Sequence, residues 1–122
     1  MLKFIKEQMS ALNIPYEFME WTSALSYPYV VGEYTETPTL DEDGKEESTM
    51  ILTATTRGEW LELEEIKQKI KKHFPAVGGL RAETDNGVIV VFYSDAFPVP
   101  TGEADLKRIQ INLDIREWKG LN

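Results

Sequence analysis

A small α+β domain, with two helices packed on a mainly antiparallel or mixed β-sheet and an extended β-hairpin, is the fold this chain of 122 residues predicts. Three observations lead there. Two segments, one at the N-terminus and one over 59–74, space their apolar residues at helical steps. Several other runs alternate apolar with polar residues or string β-branched and aromatic residues together. Between two of those runs lies an acidic crest rich in turn formers.

Leu2, Ile5, Met9 and Leu12 recur at three- and four-residue steps, with Lys3, Lys6, Glu7 and Ser10 on the other face. That is the stripe of an amphipathic helix packed on a sheet. Asn13 suits its exit and Pro15 cannot continue its ladder. The aromatic stretch Tyr16 to Trp21 follows as a short strand, and Ser23 to Pro28 as a loop, with Pro28 biasing Tyr27 to extended backbone. The run starting at Tyr29 (Tyr-Val-Val-Gly-Glu-Tyr) reads as a strand, and the stretch from Ser48 to Arg57 as its antiparallel partner. In that partner Met50, Leu52 and Ala54 form an apolar face, while Thr49, Ile51, Thr53 and Thr55 form a Thr-rich, partly wet one. Thr37-Pro38 and Asp43-Gly44 supply turns between the two strands, so a long hairpin with a mobile acidic tip over 35–47 is expected.

Trp60, Leu63, Ile66, Ile70 and Phe74 mark a second helical stripe, with Trp60 expected in the core. Glutamates open the segment and lysines with His73 close it, matching the helix dipole, and Glu65–Lys69 is a favourable i,i+4 pair. Gly58 is the expected N-cap and Pro75 the stop. Asp85-Asn86-Gly87 is a tight-turn signal between strands Leu80–Thr84 and Val88–Ser94, the latter apolar on both faces as a central strand is. Asp95 to Glu103 reads as a Pro/Gly loop exposing Phe97. Ile109, Ile111, Leu113 and Ile115 then alternate strictly with polar residues, a strand buried on one face. No repeat or linker divides the chain, so 1–122 is read as one domain.

The formal charge is −8, and seven acidic residues from Glu33 to Glu47 against the single Lys45 account for −6 of it. The charge is therefore local. With a pI near 4.7, phosphate-backbone binding has little to work with, and no specific nucleic-acid partner is expected. There is no cysteine, hence no disulfide and no thiolate, which favours folding in the cytosol. No run has the ~18 apolar residues of a membrane helix, and the opening residues lack the apolar core of a secretory signal. No membrane association is expected.

No motif for chemistry is complete in this sequence. With Gly44 as the turn glycine of an EF-hand loop, Thr39 and Met50 would stand where Asp and a bidentate Glu are required. His73 is the only histidine and stands at a helix end, where a cation is favourable without any catalytic role. Gly78-Gly79 belongs to neither a P-loop nor a dinucleotide-binding pattern. Asp41 and Asp43 sit in a loop, a poor platform for acid–base work needing half-ångström placement. The best enzymatic alternative joins Asp95, Thr101 and Glu103 near the ends of neighbouring strands. No cofactor or metal is expected, and the chain is read as a non-enzyme.

The order of elements, with Pro28-Tyr-Val-Val-Gly-Glu-Tyr before the crest, Thr53-Ala-Thr-Thr-Arg-Gly-Glu-Trp-Leu-Glu-Leu into the second helix and Ile109-Gln-Ile-Asn-Leu-Asp-Ile-Arg-Glu-Trp at the end, resembles the tail-terminator and head–tail completion proteins of bacteriophages and prophages. The resemblance spans nearly the whole chain through order and texture, with no short signature. It implies a structural subunit of a homo-hexameric ring that meets the tail tube and the head connector. Such a protein would reside in the host cytoplasm before assembly and in the virion tail afterwards. The acidic crest would either line a lumen for DNA or keep free subunits apart. The candidate interface comprises Leu40, Asp41, Glu42 and Asp43 of the crest, the exposed Phe97, and Trp118 sealing the last strand against a partner. A small acidic inhibitor or immunity-type protein, covering a basic site on a partner, is the alternative; it should display its carboxylates on an ordered face.

Overall fold

Local sequence signals set the elements, and a computed structural model describes them at residues 1–37, 44–85 and 87–119. They run α1 (Leu2–Ala11), β1 (Tyr16–Phe18), β2 (Tyr29–Thr37), β3 (Lys45–Thr56), α2 (Trp60–His73), β4 (Leu80–Thr84), β5 (Gly87–Pro98) and β6 (Lys107–Lys119). The strands form one sheet in the order β1-β2-β3-β6-β5-β4. Every neighbouring pair is antiparallel except β1–β2, which is parallel. The fold is α+β with a mixed sheet.

The period-2 pattern decides which face is dry. Met50, Leu52 and Ala54 of β3 stand opposite Leu113, Ile111 and Ile109 of β6, and all six are buried. Val30, Ile89, Val91 and Ile115 extend this face, and Ile5 and Met9 of α1 with Leu63, Ile66, Ile70 and Phe74 of α2 close it. Each fully buried aliphatic side chain contributes roughly 1.5–3 kcal/mol by removal from water. The opposite face carries Thr49, Ile51 and Thr53 beside Asp114, Asn112 and Gln110, half-buried or exposed, and among the described residues no helix lies over it. It is stitched by polar contacts: Gln110 donates to Asn112 Oδ1 (3.0 Å), and Asn112 donates to Asp95 Oδ1 (2.9 Å). The Arg116 guanidinium lies 4.9 Å from the Phe92 ring centre.

The helix exits follow their chemistry. Asn13 adopts φ 57°, a left-handed conformation that Asn tolerates, and its N–H donates to Ser10 O. Pro15 O then accepts from Val30 N–H at 2.9 Å, which lays β1 along β2. At α2 the N-cap is Glu59, not Gly58. Glu62 decides this: its carboxylate accepts from Glu59 N–H (3.2 Å) and from the Thr56 hydroxyl (2.8 Å).

Four other expectations are corrected. Trp60 is 45% exposed, because at the first turn of α2 it borders an open hollow along the segment Pro98 to Lys107 and not the sheet core. The segment from Asp95 to Pro98 belongs to β5 and not to a loop: a one-residue bulge between Tyr93 and Asp95 shifts the register and lets the strand continue along β6. The crest is shorter than 35–47. Thr35 to Thr37 pair with Glu47 to Thr49, and Lys45 to Glu47 pair with Arg116 to Trp118. Glu65 and Lys69 do not pair; Lys67 meets Glu64 at 2.7 Å, and Lys69 reaches Leu12 O at 3.5 Å.

Candidate functional site

The two edges of the sheet are only partly covered, and this follows from strand length. β1 has three residues and β2 nine, so β1 pairs only with Val30, Val31 and Gly32. Val30 N–H bonds Pro15 O, and Gly32 O accepts from Met19 N–H at 2.7 Å. Even-numbered residues of β2 therefore turn their backbone polar groups outward from β3. By the same alternation Tyr34 and Glu36 present theirs to the open edge, and among the described residues no backbone bond meets them.

The other edge is open at the opposite end of the sheet. β4 covers β5 only from Gly87 to Val91, and Tyr93 N–H is taken by Phe74 O (2.9 Å). Beyond the bulge, Val99 N–H donates to Arg108 O, toward β6. Phe97 and Asp95 share that direction, and Ala96 turns its N–H and C=O outward. Pro98, which has no N–H, ends this free stretch.

The interface residues expected from the sequence divide accordingly. Leu40, Asp41, Glu42 and Asp43 lie outside the described residues. Phe97 is 41% exposed, on the helix-free face of β5 next to the open edge. Trp118 is half-buried on that same face, between Lys45 of β3 and Val88 of β5. Phe97 and Trp118 sit near opposite ends of β6, so they form no common patch.

The hairpin carboxylates are more ordered than expected. Glu33, Glu36, Glu46 and Glu47 stand on paired strands. Glu47 lies 3.3 Å from Lys45 and 3.9 Å from Arg116, and Glu46 lies 3.9 Å from Lys119. Glu33 and Glu36 are exposed on β2 beside the free backbone groups.

At the far end of the sheet Arg57 gathers distant loops. Its guanidinium donates to Asp105 (2.8 Å), Glu103 (3.3 Å) and the Tyr27 hydroxyl (3.2 Å). The bonds to Tyr27 and then Asp105 raise its pKa further above the ordinary guanidinium value. Tyr27, Tyr29 and Trp21 continue as a line of ring contacts at 5.6 and 5.1 Å. Near β1, the Thr22 hydroxyl and the Thr22 and Ser23 amides donate to Glu17. Led by the Thr22 bond, they hold its pKa at about 2. A groove of about 630 Å3 opens between α1 and β1, lined by Leu2, Phe18 and Met19 with Lys3, Lys6, Glu17 and Glu20.

The alternative acid site does not assemble. Asp95 is engaged by Asn112 on the sheet face, Thr101 Oγ1 donates to Leu106 O (2.7 Å), and Glu103 faces Arg57. His73 Nε2 lies 2.6 Å from Gln8 Oε1 and packs edge-on against Phe74, tying α2 to α1. Among the described residues no three His, Asp or Glu side chains converge as a metal site requires. No described helix is long and apolar enough to cross a membrane.

No protein-family model matches this chain, and no curated protein matches it either. The open-edge positions Tyr34, Glu36 and Ala96 escaped sequence reading. No sequence signal marked them: the runs read as Tyr16 to Trp21 and Tyr29 to Tyr34 are equal in length, whereas the folded strands have three and nine residues.

Proposed function

We propose that this chain is a structural tail protein of a phage or prophage, a terminator-like subunit that assembles into a homo-hexameric ring at the head–tail junction. It works through contacts with its own copies, the tail tube and the head connector, and it catalyses nothing. The observation that supports this most is the pair of unlike, partly open sheet edges on β2 and β5. Cyclic assembly joins two different faces of identical subunits, and this chain has two different places where backbone donors and acceptors await a partner. The subunit is made in the host cytoplasm and ends in the virion tail.

Size exclusion with light scattering over concentration and salt, followed by negative-stain imaging, tests the ring. A discrete closed particle supports it, and a strict monomer under every condition counts against it. Neutralising Asp41, Glu42, Asp43, Glu46 and Glu47 tests the acidic crest: particle yield and infectivity should change if it lines a lumen or prevents early association.

A second reading draws on the ordered carboxylates. Glu33 and Glu36 project from a paired strand, the rigid display that a small acidic inhibitor or immunity-type protein would need against a basic site. Its mark is tight, salt-sensitive one-to-one binding to a basic partner, with no self-assembly.

A further inference from the structure

We infer that copies of this chain join by strand addition, the free stretch of β2 in one copy pairing antiparallel with the free stretch of β5 in the next, with Tyr34 opposite Ala96. This deepens the ring reading and rests on it. Four features of the molecule lead to it.

The first is direction. β2 is antiparallel to β3, β3 to β6, and β6 to β5, so β2 and β5 run oppositely within one copy. Rotation about an axis from which the strands tilt, as in a closed barrel, largely preserves those directions. A rotated copy therefore brings its β2 against β5 in the antiparallel sense, the better-bonded geometry.

The second is register. Tyr34 and Ala96 both turn their backbone polar groups to the open edge, so they can exchange a reciprocal pair of N–H···O bonds. Both also stand on the helix-bearing face: Tyr34 opposes the core residue Met50, and Ala96 opposes Ile111. Side chains opposite each other in a sheet share a face, so this register continues both faces across the junction. The bulge at Ser94 and Pro98 bracket Ala96, which leaves little room for any other alignment.

The third is charge. Antiparallel pairing from Tyr34–Ala96 carries Glu36 toward Ser94 and Tyr93. Lys71 Nζ lies 5.5 Å from the Tyr93 ring centre, and Lys72 follows it at the end of α2. Asp95 is the acidic residue of this stretch and is already bonded to Asn112, whereas the β2 stretch carries Glu33 and Glu36 without a basic residue. In the groove beyond β1, Lys3 and Lys6 balance Glu17 and Glu20. The pairing thus carries Glu36 toward the lysines that end α2.

The fourth is stagger. The free stretch of β2 lies toward the crest, and that of β5 at the other end, beyond β4. Joining them offsets each copy along the strands, as in closed barrels, whose strands tilt to the axis.

The chain contains no cysteine, so cross-linking is clean. Tyr34→Cys and Ala96→Cys chains are made separately, mixed and oxidised. Hydrogen-bonded antiparallel partners have Cα atoms about 5.5 Å apart, within disulfide reach. Inside one copy the two positions lie three strand spacings apart, about 14 Å, and cannot bridge. The expected result is a 34–96 heterodimer as the main product, little product from either chain alone, and a covalent ladder from the double variant. In parallel, Ala96→Pro removes an outward N–H that the monomer does not use. It should retain the far-ultraviolet spectrum and thermal midpoint while losing oligomers by light scattering. Oligomers that form without the 34–96 cross-link, or that survive Ala96→Pro, overturn strand addition and leave the ring reading standing. No cross-link together with a monomeric mass at every concentration overturns both.

Discussion

Arg57 meets Asp105 at 2.8 Å across a separation of 48 positions, and the same guanidinium bonds Tyr27, 30 positions upstream. One residue at the end of β3 thus fastens both long loops at that end of the molecule. The pairs are exposed, with the Arg57 side chain 43% accessible, so solvent screening leaves each a small contributor to global stability. Arg57→Ala should therefore leave global stability nearly unchanged but loosen the loops selectively. Glutamate-specific proteolysis after Glu103, compared with wild type under native conditions, is the check. Equal cleavage rates would show that the loops hold without Arg57.

Gly58 and Glu62 form the next sensitive point. A Cβ on Gly58 would fall on Glu62 Oε1, the oxygen that accepts from Glu59 N–H at the start of α2. Gly58→Ala should displace that carboxylate and cost about 0.5–2 kcal/mol, the range of a lost N-cap. Glu62→Ala should cost a similar amount, and Gly58→Ala in that background should then be nearly neutral. A denaturant-unfolding cycle of the four proteins measures the coupling.

Glu17 links stability to acid. Its pKa falls from the ordinary 4.5 to about 2 in the folded chain, chiefly through the Thr22 hydroxyl. A carboxylate depressed in this way stabilises the fold above its unfolded pKa, and the contribution is lost as pH falls through the folded value. The midpoint difference between wild type and Glu17→Gln should be full at pH 6 and shrink steadily from pH 4.5 toward 2. A difference independent of pH would mean that Glu17 acts through packing alone.

Leu113 stands at the centre of the sheet, opposite Met50 and fully buried. Leu113→Ala should destabilise by about 2–5 kcal/mol through lost burial and the cavity left behind. Asn112→Ala, one residue away on the helix-free face, should cost far less, about 1 kcal/mol for its side-chain bonds. Guanidinium unfolding of both variants tests whether the alternation along β6 divides a dry face from a wet one.

Much of this fold was legible from local chemistry. Ile109, Ile111, Leu113 and Ile115 announced a one-faced strand because side chains alternate in any strand, whatever its neighbours. Leu63, Ile66, Ile70 and Phe74 announced a helix for the corresponding reason of 3.6 residues per turn. Trp60 lies on the same stripe yet is exposed, because a stripe gives direction and not the extent of the surface beneath it. Phe97 was correctly expected at the surface, but on a loop. The bulge that keeps it in β5 needs β6 alongside, and no property of Asp95 to Pro98 alone reveals that neighbour.

By itself, then, the sequence determined where helices and strands begin and end to within a few residues, which face of each is apolar, and that the charge is concentrated near the hairpin. Those properties depend on residues close together in the chain, where backbone geometry sets the period. The tertiary structure decided that the last strand, β6, lies between β3 and β5, and that the short β1 and β4 leave β2 and β5 partly uncovered. It also decided that Arg57 faces Asp105. Partner choice between distant segments comes from burying all the apolar faces at once, a condition on the whole chain that no local window contains.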